Sequence, residues 1–364
     1  MATVKDGKGT LALAAFDSSA ELKKHELGRP EPGPNDVSIE VKYCGMCHSD
    51  LHATNGDWGM NYYPLSPGHE IAGVVKEVGC NVTKFQKGDY VGVGCFVDSC
   101  GECKQCECGN QNYCSKSCGT YGSPYPEGKG HDECAGVITN GGYSSSITVK
   151  QDFVYSVPAG MDLKYVGPLL CAGITMFSPL NKHVLKKGGN KTVGIVGFGG
   201  LGLMGIKLAK AMGCDVTVLS RSVDKKDQAE KLGADILAHT DAEALATVSG
   251  KFDVILDTIS APHEIQHILS TLTVGGTYVC IGAFLSPVKI APFSLIGRNL
   301  CIEGSLVGGI PETQEMLDFC DEHNVLPDIK VIHAKDASAQ FKALGDASAD
   351  VERAVIDMST LAEL

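Results

Sequence analysis

Basic charge is what this chain has least of: across 364 residues, 31 Lys and Arg face 43 Asp and Glu, a net charge of -12, with a pI near 5.4. With no basic stripe to neutralise phosphates, the composition argues against a nucleic-acid partner. Long apolar runs are also missing. Stretches such as Leu11–Phe16 fall far short of the ~20 residues a membrane span needs. The opening MATVKDGKGTLALAAFDSS holds no apolar segment of the length a secretory signal requires. Aromatic residues make up only 6%, and Trp58 is the one tryptophan, so any aryl-lined pocket draws on few side chains.

Cysteine, by contrast, is abundant, with sixteen residues. Such a count implies a disulfide framework only in an exported protein. Without an export signal the expectation is a reducing cytoplasm in which cysteines serve as thiolate ligands. A 43% hydrophobic, 20% charged composition suits a globular chain long enough for two domains.

Cys100, Cys103, Cys106 and Cys114 stand in the run CGECKQCECGNQNYC with C-x2-C-x2-C-x7-C spacing. That spacing lets one short lobe close four thiolates around a tetrahedral ion at about 2.3 Å. Taken alone the run also suits an iron–sulfur cluster. A second, different donor set elsewhere in the chain favours zinc, one ion structural and one catalytic.

Two patterns divide the chain. The first 160 residues or so read as short strands with Gly/Pro punctuation, including Val37–Tyr43, Ile71–Val78 and Asp89–Gly94, an antiparallel, loop-rich β domain. From Lys191 apolar strands alternate with helices expected over Leu201–Met212, Asp224–Leu232 and Glu264–Leu272. Near-continuous apolar strands separated by helices predict a parallel sheet covered on both faces. A helix over Pro311–His323 and a strand over Ala354–Met358 follow. The reading is α/β: a catalytic domain over residues 1–165 with a metal lobe at 95–120, a doubly wound dinucleotide domain over 166–310, and a return of 311–364 to the first domain.

Gly197, Gly199, Gly200 and Gly202, with Phe198 and Leu201 between them, follow an apolar strand and open an apolar helix. In that setting the glycines permit a tight turn and close approach of backbone to a pyrophosphate, while the helix N-terminus supplies amide donors. An acidic residue at the end of the next strand would mark NAD. This chain has Ser220, Arg221 and Ser222, then Lys225 and Lys226. Small hydroxyls and a guanidinium suit a 2′-phosphate, so NADP(H) is expected; the alternative is that the basic residues form a solvated helix start.

Cys44–His52 reads CGMCHSDLH, Pro67–Glu70 reads PGHE, and Leu169–Thr175 reads LLCAGIT. Each cysteine by itself serves as readily as a small buried hydrophobe as a ligand. Together with PGHEIAGVV, the four-cysteine lobe, GGYS at Gly141–Ser144, GFGGLG and IEGSLVGG, in that order, the chain resembles the zinc-dependent medium-chain dehydrogenase/reductase superfamily and, within it, the cinnamyl alcohol dehydrogenase group. The resemblance runs over essentially the whole length.

It implies a GroES-like catalytic domain joined to a Rossmann domain, and a homodimer formed through the cofactor domains. It also implies Cys47, His69 and Cys171 as ligands of the catalytic zinc, with Glu70 as a nearby carboxylate. Two thiolates and an imidazole leave a fourth position open. Asp50 is then the residue that orients the histidine ligand, Ser49 and His52 a proton relay, and Thr175 a further cofactor contact. Trp58, Tyr121, Phe284 and Leu285 are the implied substrate pocket, and Arg353 supports the cofactor phosphate or a domain contact. Cys44, Cys95 and Cys118 read as core thiols and Cys108 as a spectator. His52 also suits a surface histidine with no task. The stretch Tyr121–Asn140 is longer than the family's loop and carries His131, Asp132, Glu133 and Cys134. Adjacent residues rarely converge on one ion, which favours a solvated loop over a third metal site.

The expected activity is hydride transfer between NADP(H) and an aldehyde or primary alcohol of aryl or cinnamyl type. A reductase of C=C or iminium bonds is the alternative within enzymology, and a zinc- or redox-sensing protein the one outside it.

Overall fold

Alternating burial along the strand Asp36–Gly45 puts Val37, Ile39 and Val41 into the core, as period-2 patterning requires. The computed structural model describes residues 8–59, 62–126, 135–284, 286–345 and 352–364. His131–Cys134 and Leu285 lie outside the described residues. The chain divides into two units: Met1–Cys171 with Gly309–Asp321 and Leu326–Leu364, and Ala172–Gly308 with Glu322–Val325.

In the first unit the principal sheet runs Ile329–His333, Arg353–Asp357, Asp36–Gly45, Glu70–Val78, Tyr90–Val93 and Tyr155–Ser156, with Ser146–Lys150 also paired to Asp36–Gly45. Its pairings are antiparallel except the first, where Ile329–His333 and Arg353–Asp357 run parallel. The antiparallel expectation for the first 160 residues or so holds, and the parallel pair lies wholly in the C-terminal segment. The helix Ala337–Ala343 between the two strands supplies the crossover a parallel pair needs. The C-terminal segment thus belongs to this sheet, with Val355, Ile356 and Cys44 fully buried across the pairing. A two-stranded pair, Phe96–Asp98 with Cys118–Gly119, brackets the four-cysteine lobe.

In the second unit six parallel strands lie in the order Asp235–Ala238, Asp215–Ser220, Thr192–Val196, Phe252–Asp257, Leu272–Cys280, Cys301–Gly304. The glycine loop follows Thr192–Val196, beside which the strand order reverses, the position where doubly wound sheets bind nucleotides. Most expected elements appear within two residues of their sequence-based bounds. The helix near Glu264–Leu272 is shorter, spanning Gln266–Leu269. Thr271 donates its hydroxyl to the Ile268 carbonyl, and the β-favouring run from Leu272 opens a strand instead. A helix over Ala242–Thr247, unanticipated, is capped by Asp241, which accepts from Glu243 N and Ala244 N.

One helical stretch, Leu163–Lys187, is long and apolar enough to cross a membrane by composition, but 83% of its window is buried inside the protein. It is a core helix.

Candidate active site

The strand Asp36–Gly45 delivers Cys47 to the N-cap of the helix His48–Asn55, where Cys47 N donates to Asp50 Oδ2 at 3.0 Å. A thiol at a helix N-terminus faces unpaired amides, which favour its anion. Pro67 and Gly68 bring the chain into the next strand at His69 and Glu70. Gly68 has φ +103, and a Cβ there would stand 2.5 Å from the Tyr143 ring, so the turn admits only glycine. Cys171 lies in a π-helical turn, Leu169–Gly173, a local widening that often marks functional positions.

Four donors meet. The ligand atoms of Cys47, His69, Glu70 and Cys171 all lie within 4.8 Å of one another, and all four residues are buried. Cys47 Sγ is 3.8 Å from Cys171 Sγ, and His69 Nε2 is 3.1 Å from Cys171 Sγ. Two sulfurs bound at about 2.3 Å on a tetrahedral ion lie about 3.8 Å apart, so the pair already has the separation zinc requires. The hydrogen bond between the sulfurs pulls Cys47 well below the usual thiol range and pushes Cys171 well above it. Among the described residues, both Glu70 oxygens are buried without a hydrogen-bond partner. Burial raises the Glu70 carboxyl to about 8, against the pull of Arg353. A buried carboxylate lacking donors beside two thiols and an imidazole suits a bound cation.

Asp50 stands behind the histidine. Its Oδ1 is 2.9 Å from His69 Nδ1 and accepts from Gly68 N; its Oδ2 also accepts from the Tyr143 hydroxyl at 3.1 Å. Burial disfavours a charged His69, but Asp50 overrides it and holds the ring well above its usual value. Tyr121 has its ring 5.8 Å from that of His69, and burial, together with the charge of Asp50, pushes its hydroxyl well above its usual range. Arg353 lies in this unit too, donating to the Met46 carbonyl and standing 3.4 Å from Glu70 Oε1.

Ser49 and His52 share one face of the same helix. His52 Nδ1 is 2.7 Å from Asp57 Oδ2, and its ring lies 5.4 Å from that of Trp58. Asp57 therefore orients the histidine, and Trp58 covers it; neither contact was evident from the sequence.

The second donor set is closed on itself. Cys100, Cys103, Cys106 and Cys114 gather with sulfur separations of 3.8 Å (Cys100–Cys106), 3.6 Å (Cys103–Cys106) and 3.5 Å (Cys114–Cys100). Amides of Cys103 and Lys116 donate to Cys100 and Cys114 sulfurs at 3.3 Å each. Backbone donation, Glu102 foremost, lowers Cys100 to about 6. Cys108 is exposed and outside the cluster.

In the second unit a Cβ on Gly202 would stand 2.2 Å from the Gly197 carbonyl oxygen, whereas one on Gly199 would meet nothing within 4 Å. The first glycine is needed for the turn's own packing. The second leaves open space at the N-terminus of the twelve-residue helix Gly200–Ala211, room for a phosphate group to approach the backbone. Ser220 closes the neighbouring strand, followed by exposed Arg221, Ser222 and Lys225. Lys225 Nζ lies 5.9 Å over the Phe198 ring of the glycine loop, whereas Lys226 pairs with Glu230. The Ser222 hydroxyl donates to Asp224. Thr175 is buried in the helix Ile174–His183. Phe284 packs against His263, ring centroids 5.9 Å apart.

Cys95 is a correction: instead of being a fully buried core thiol it is half-buried, and Cys171 beside it holds its thiol below the usual range. It lies too far in sequence from Cys171 for spacing to reveal their proximity.

Comparison with known proteins gives a consistent picture. Residues 33–159 match the alcohol dehydrogenase GroES-like domain, and residues 200–322 the zinc-binding dehydrogenase domain. The chain is 45% identical to aldehyde reductase YahK of Escherichia coli, covering 97% of this chain and 99% of that one. It superposes on a cinnamyl alcohol dehydrogenase of Sorghum bicolor with a TM-score of 0.90 at 39% identity, covering 97% and 98% of the two chains. A cinnamyl alcohol dehydrogenase of Helicobacter pylori, complexed with NADP(H), gives 0.86 at 40% identity, covering 96% and 98%.

Proposed function

This chain belongs to the zinc-binding, GroES-like alcohol dehydrogenase family, and from that premise we propose that it interconverts aldehydes and primary alcohols with NADP(H), favouring aryl or cinnamyl-type substrates. The observation that carries the reading is the convergence of Cys47, His69 and Cys171 with Asp50 behind the imidazole. Those three residues hold the catalytic zinc, with Glu70 beside it, and the four-cysteine lobe holds the structural one. When bound, the metal supplies Lewis acidity toward a carbonyl oxygen and NADPH supplies the hydride.

The chain's own residues orient the reactants and handle the proton. Asp50 accepts from His69 Nδ1–H and so directs the Nε2 lone pair to the metal site. Ser49 Oγ donates the proton that the product oxygen takes up. His52, with Nδ1 held by Asp57, exchanges protons through Nε2 and replenishes the relay. Gly197, Gly199, Gly200, Leu201 and Gly202 receive the pyrophosphate; Ser220, Arg221, Ser222 and Lys225 receive the 2′-phosphate, and Thr175 adds a contact. Trp58 and Tyr121 in the catalytic unit supply apolar surface for an aryl group.

The protein works as a homodimer in the cytoplasm on this reading. The strand Cys301–Gly304 pairs on one side only among the described residues, and Phe293 and Ile296 are 78% and 73% exposed. An open edge with exposed apolar residues in the same unit favours self-association. Light scattering on the purified protein tests that part.

The activity is tested by NADPH oxidation with cinnamaldehyde and benzaldehyde, together with metal analysis. Cys47→Ser and His69→Ala should each abolish turnover and lose one zinc while NADPH still binds. A variant that keeps appreciable aldehyde reduction removes the metal site from the mechanism.

A further inference from the structure

Arg29 ends the strand Leu22–Arg29 and is buried, only 4% exposed. Burying a charge costs free energy unless its donors are paired, and this guanidinium is paired with one short stretch of chain. Its Nη1 donates to the Asn140 carbonyl, and its Nη2 to the Gly141 carbonyl at 2.6 Å and the Ser144 hydroxyl at 2.7 Å. Nε donates to the Ser146 carbonyl at 2.9 Å. One rigid planar fork thus gathers acceptors spread over residues 140–146.

That stretch is laced to the turn that presents His69. Gly141 N donates to Ser66 O at 2.7 Å, Gly142 N to Gly68 O at 2.8 Å and Tyr143 N to Pro67 O at 3.0 Å. Asn140 Oδ1 accepts from Ser66 N at 2.9 Å. The backbones approach so closely that a Cβ on Gly141 would stand 2.2 Å from the Gly68 carbonyl oxygen. From the same stretch Tyr143, fully buried, donates its hydroxyl to Asp50 Oδ2, while Asp50 Oδ1 holds His69 Nδ1.

We propose that Arg29 is a positioning residue of the catalytic metal site, fixing through Tyr143 and Asp50 the direction in which His69 presents Nε2. This rests on the reading of Cys47, His69 and Cys171 as zinc ligands. Arg29 acts at a remove, by setting where the segment places the Tyr143 hydroxyl. A lysine in its place keeps the charge but loses the fork, since one ammonium cannot serve acceptors so spread out. Phenylalanine at position 143 keeps the ring and removes the donor to Asp50. The two residues act in series, so once one link is broken the other has little left to contribute.

The test uses the full-length, zinc-loaded protein as Arg29→Lys, Tyr143→Phe, the double variant and Val149→Ala. Val149 is buried on the strand Ser146–Lys150, and its truncation controls for lost stability alone. Chelator competition follows both zincs in each protein, and the absorption bands of cobalt(II) exchanged into the Cys47–His69–Cys171 site report its ligand geometry. Arg29→Lys and Tyr143→Phe should each loosen this zinc by about tenfold, with altered cobalt bands and an unchanged lobe zinc. The double variant should match the single ones instead of reaching the product, about a hundredfold. Val149→Ala should lower the thermal midpoint and leave both zincs and the cobalt bands as they were. If Arg29→Lys does not fold, Ser144→Ala, which removes one acceptor of the fork, takes its place; it should weaken the same zinc and lose that effect beside Tyr143→Phe. An Arg29→Lys protein that melts lower but binds zinc as the wild type does overturns the proposal, as does a double variant showing the full product. A wild-type protein that holds only the lobe zinc overturns the ligand reading itself.

Discussion

Asp50 Oδ1 stands 2.9 Å from His69 Nδ1, with both side chains buried. This contact decides which ring nitrogen faces the sulfurs, because a carboxylate accepts from Nδ1–H and leaves the Nε2 lone pair free. Asp50 also accepts from Cys47 N, Gly68 N and the Tyr143 hydroxyl, so the same carboxylate ties together the two segments that carry Cys47 and His69.

Asp50→Asn should therefore weaken zinc at the Cys47–His69–Cys171 site by about 10–100-fold, the usual cost of losing a carboxylate behind a ligating histidine. Chelator competition read against the unaffected lobe zinc measures it. Equal retention of both ions would show that Asp50 only packs the turn.

Cys103→Ser should remove the lobe zinc and lower the thermal midpoint, since structural metal binding contributes folding free energy directly. Cys108→Ser, outside the cluster, should do neither. Metal analysis and thermal melts of the two variants compare them; a Cys103→Ser protein of normal stability and full zinc content contradicts a structural role.

Ser220→Asp should move cofactor preference toward NADH. The new carboxylate repels a 2′-phosphate and accepts from ribose hydroxyls. A change of roughly tenfold or more in the ratio of kcat/KM values is expected, about 1.4 kcal/mol per tenfold. Steady-state kinetics with both cofactors supply the ratio, and an unchanged value would place phosphate recognition elsewhere.

Glu303 predicts a pH effect on stability. Burial acts to raise its carboxyl, but hydrogen bonds from Lys182, at 2.7 Å, and His183, at 2.6 Å, hold it below its usual range. A folded-state pKa below the unfolded one contributes stability above the unfolded value, and that contribution is lost as pH falls through the folded value. Glu303→Gln should thus cost under about 1 kcal/mol at neutral pH, the site being partly screened. The gap to wild type should close below about pH 4. Urea melts across that range follow it; a gap that widens on acidification has the sign wrong.

Much of the molecule is legible in its sequence. The C-x2-C-x2-C-x7-C lobe is local: four ligands within fifteen residues of chain can close on one ion through short turns, and spacing alone reports them. The strand, glycine loop and helix of the cofactor unit are local too, since the period-2 and period-3.6 patterns and the steric demands of Gly197 and Gly202 are properties of consecutive residues. Where local signals were weak, the bounds slipped, as at Gln266–Leu269, where β-branched residues overtook a short helix.

The sequence by itself determined the two-part α/β architecture, the lobe, the phosphate loop and, through motif order, the candidate donor set of Cys47, His69, Glu70 and Cys171, because each is encoded over short separations or in a recognisable run. Only the tertiary structure decided that Arg353 faces Glu70, that Tyr143 and Tyr121 converge on Asp50, and that Cys95 meets Cys171. These partners lie 71 to 283 residues apart. Their contacts come from strand pairing and loop packing such as Gly94 against Leu170, and side-chain identity along the chain carries no record of which distant segment will be folded against it.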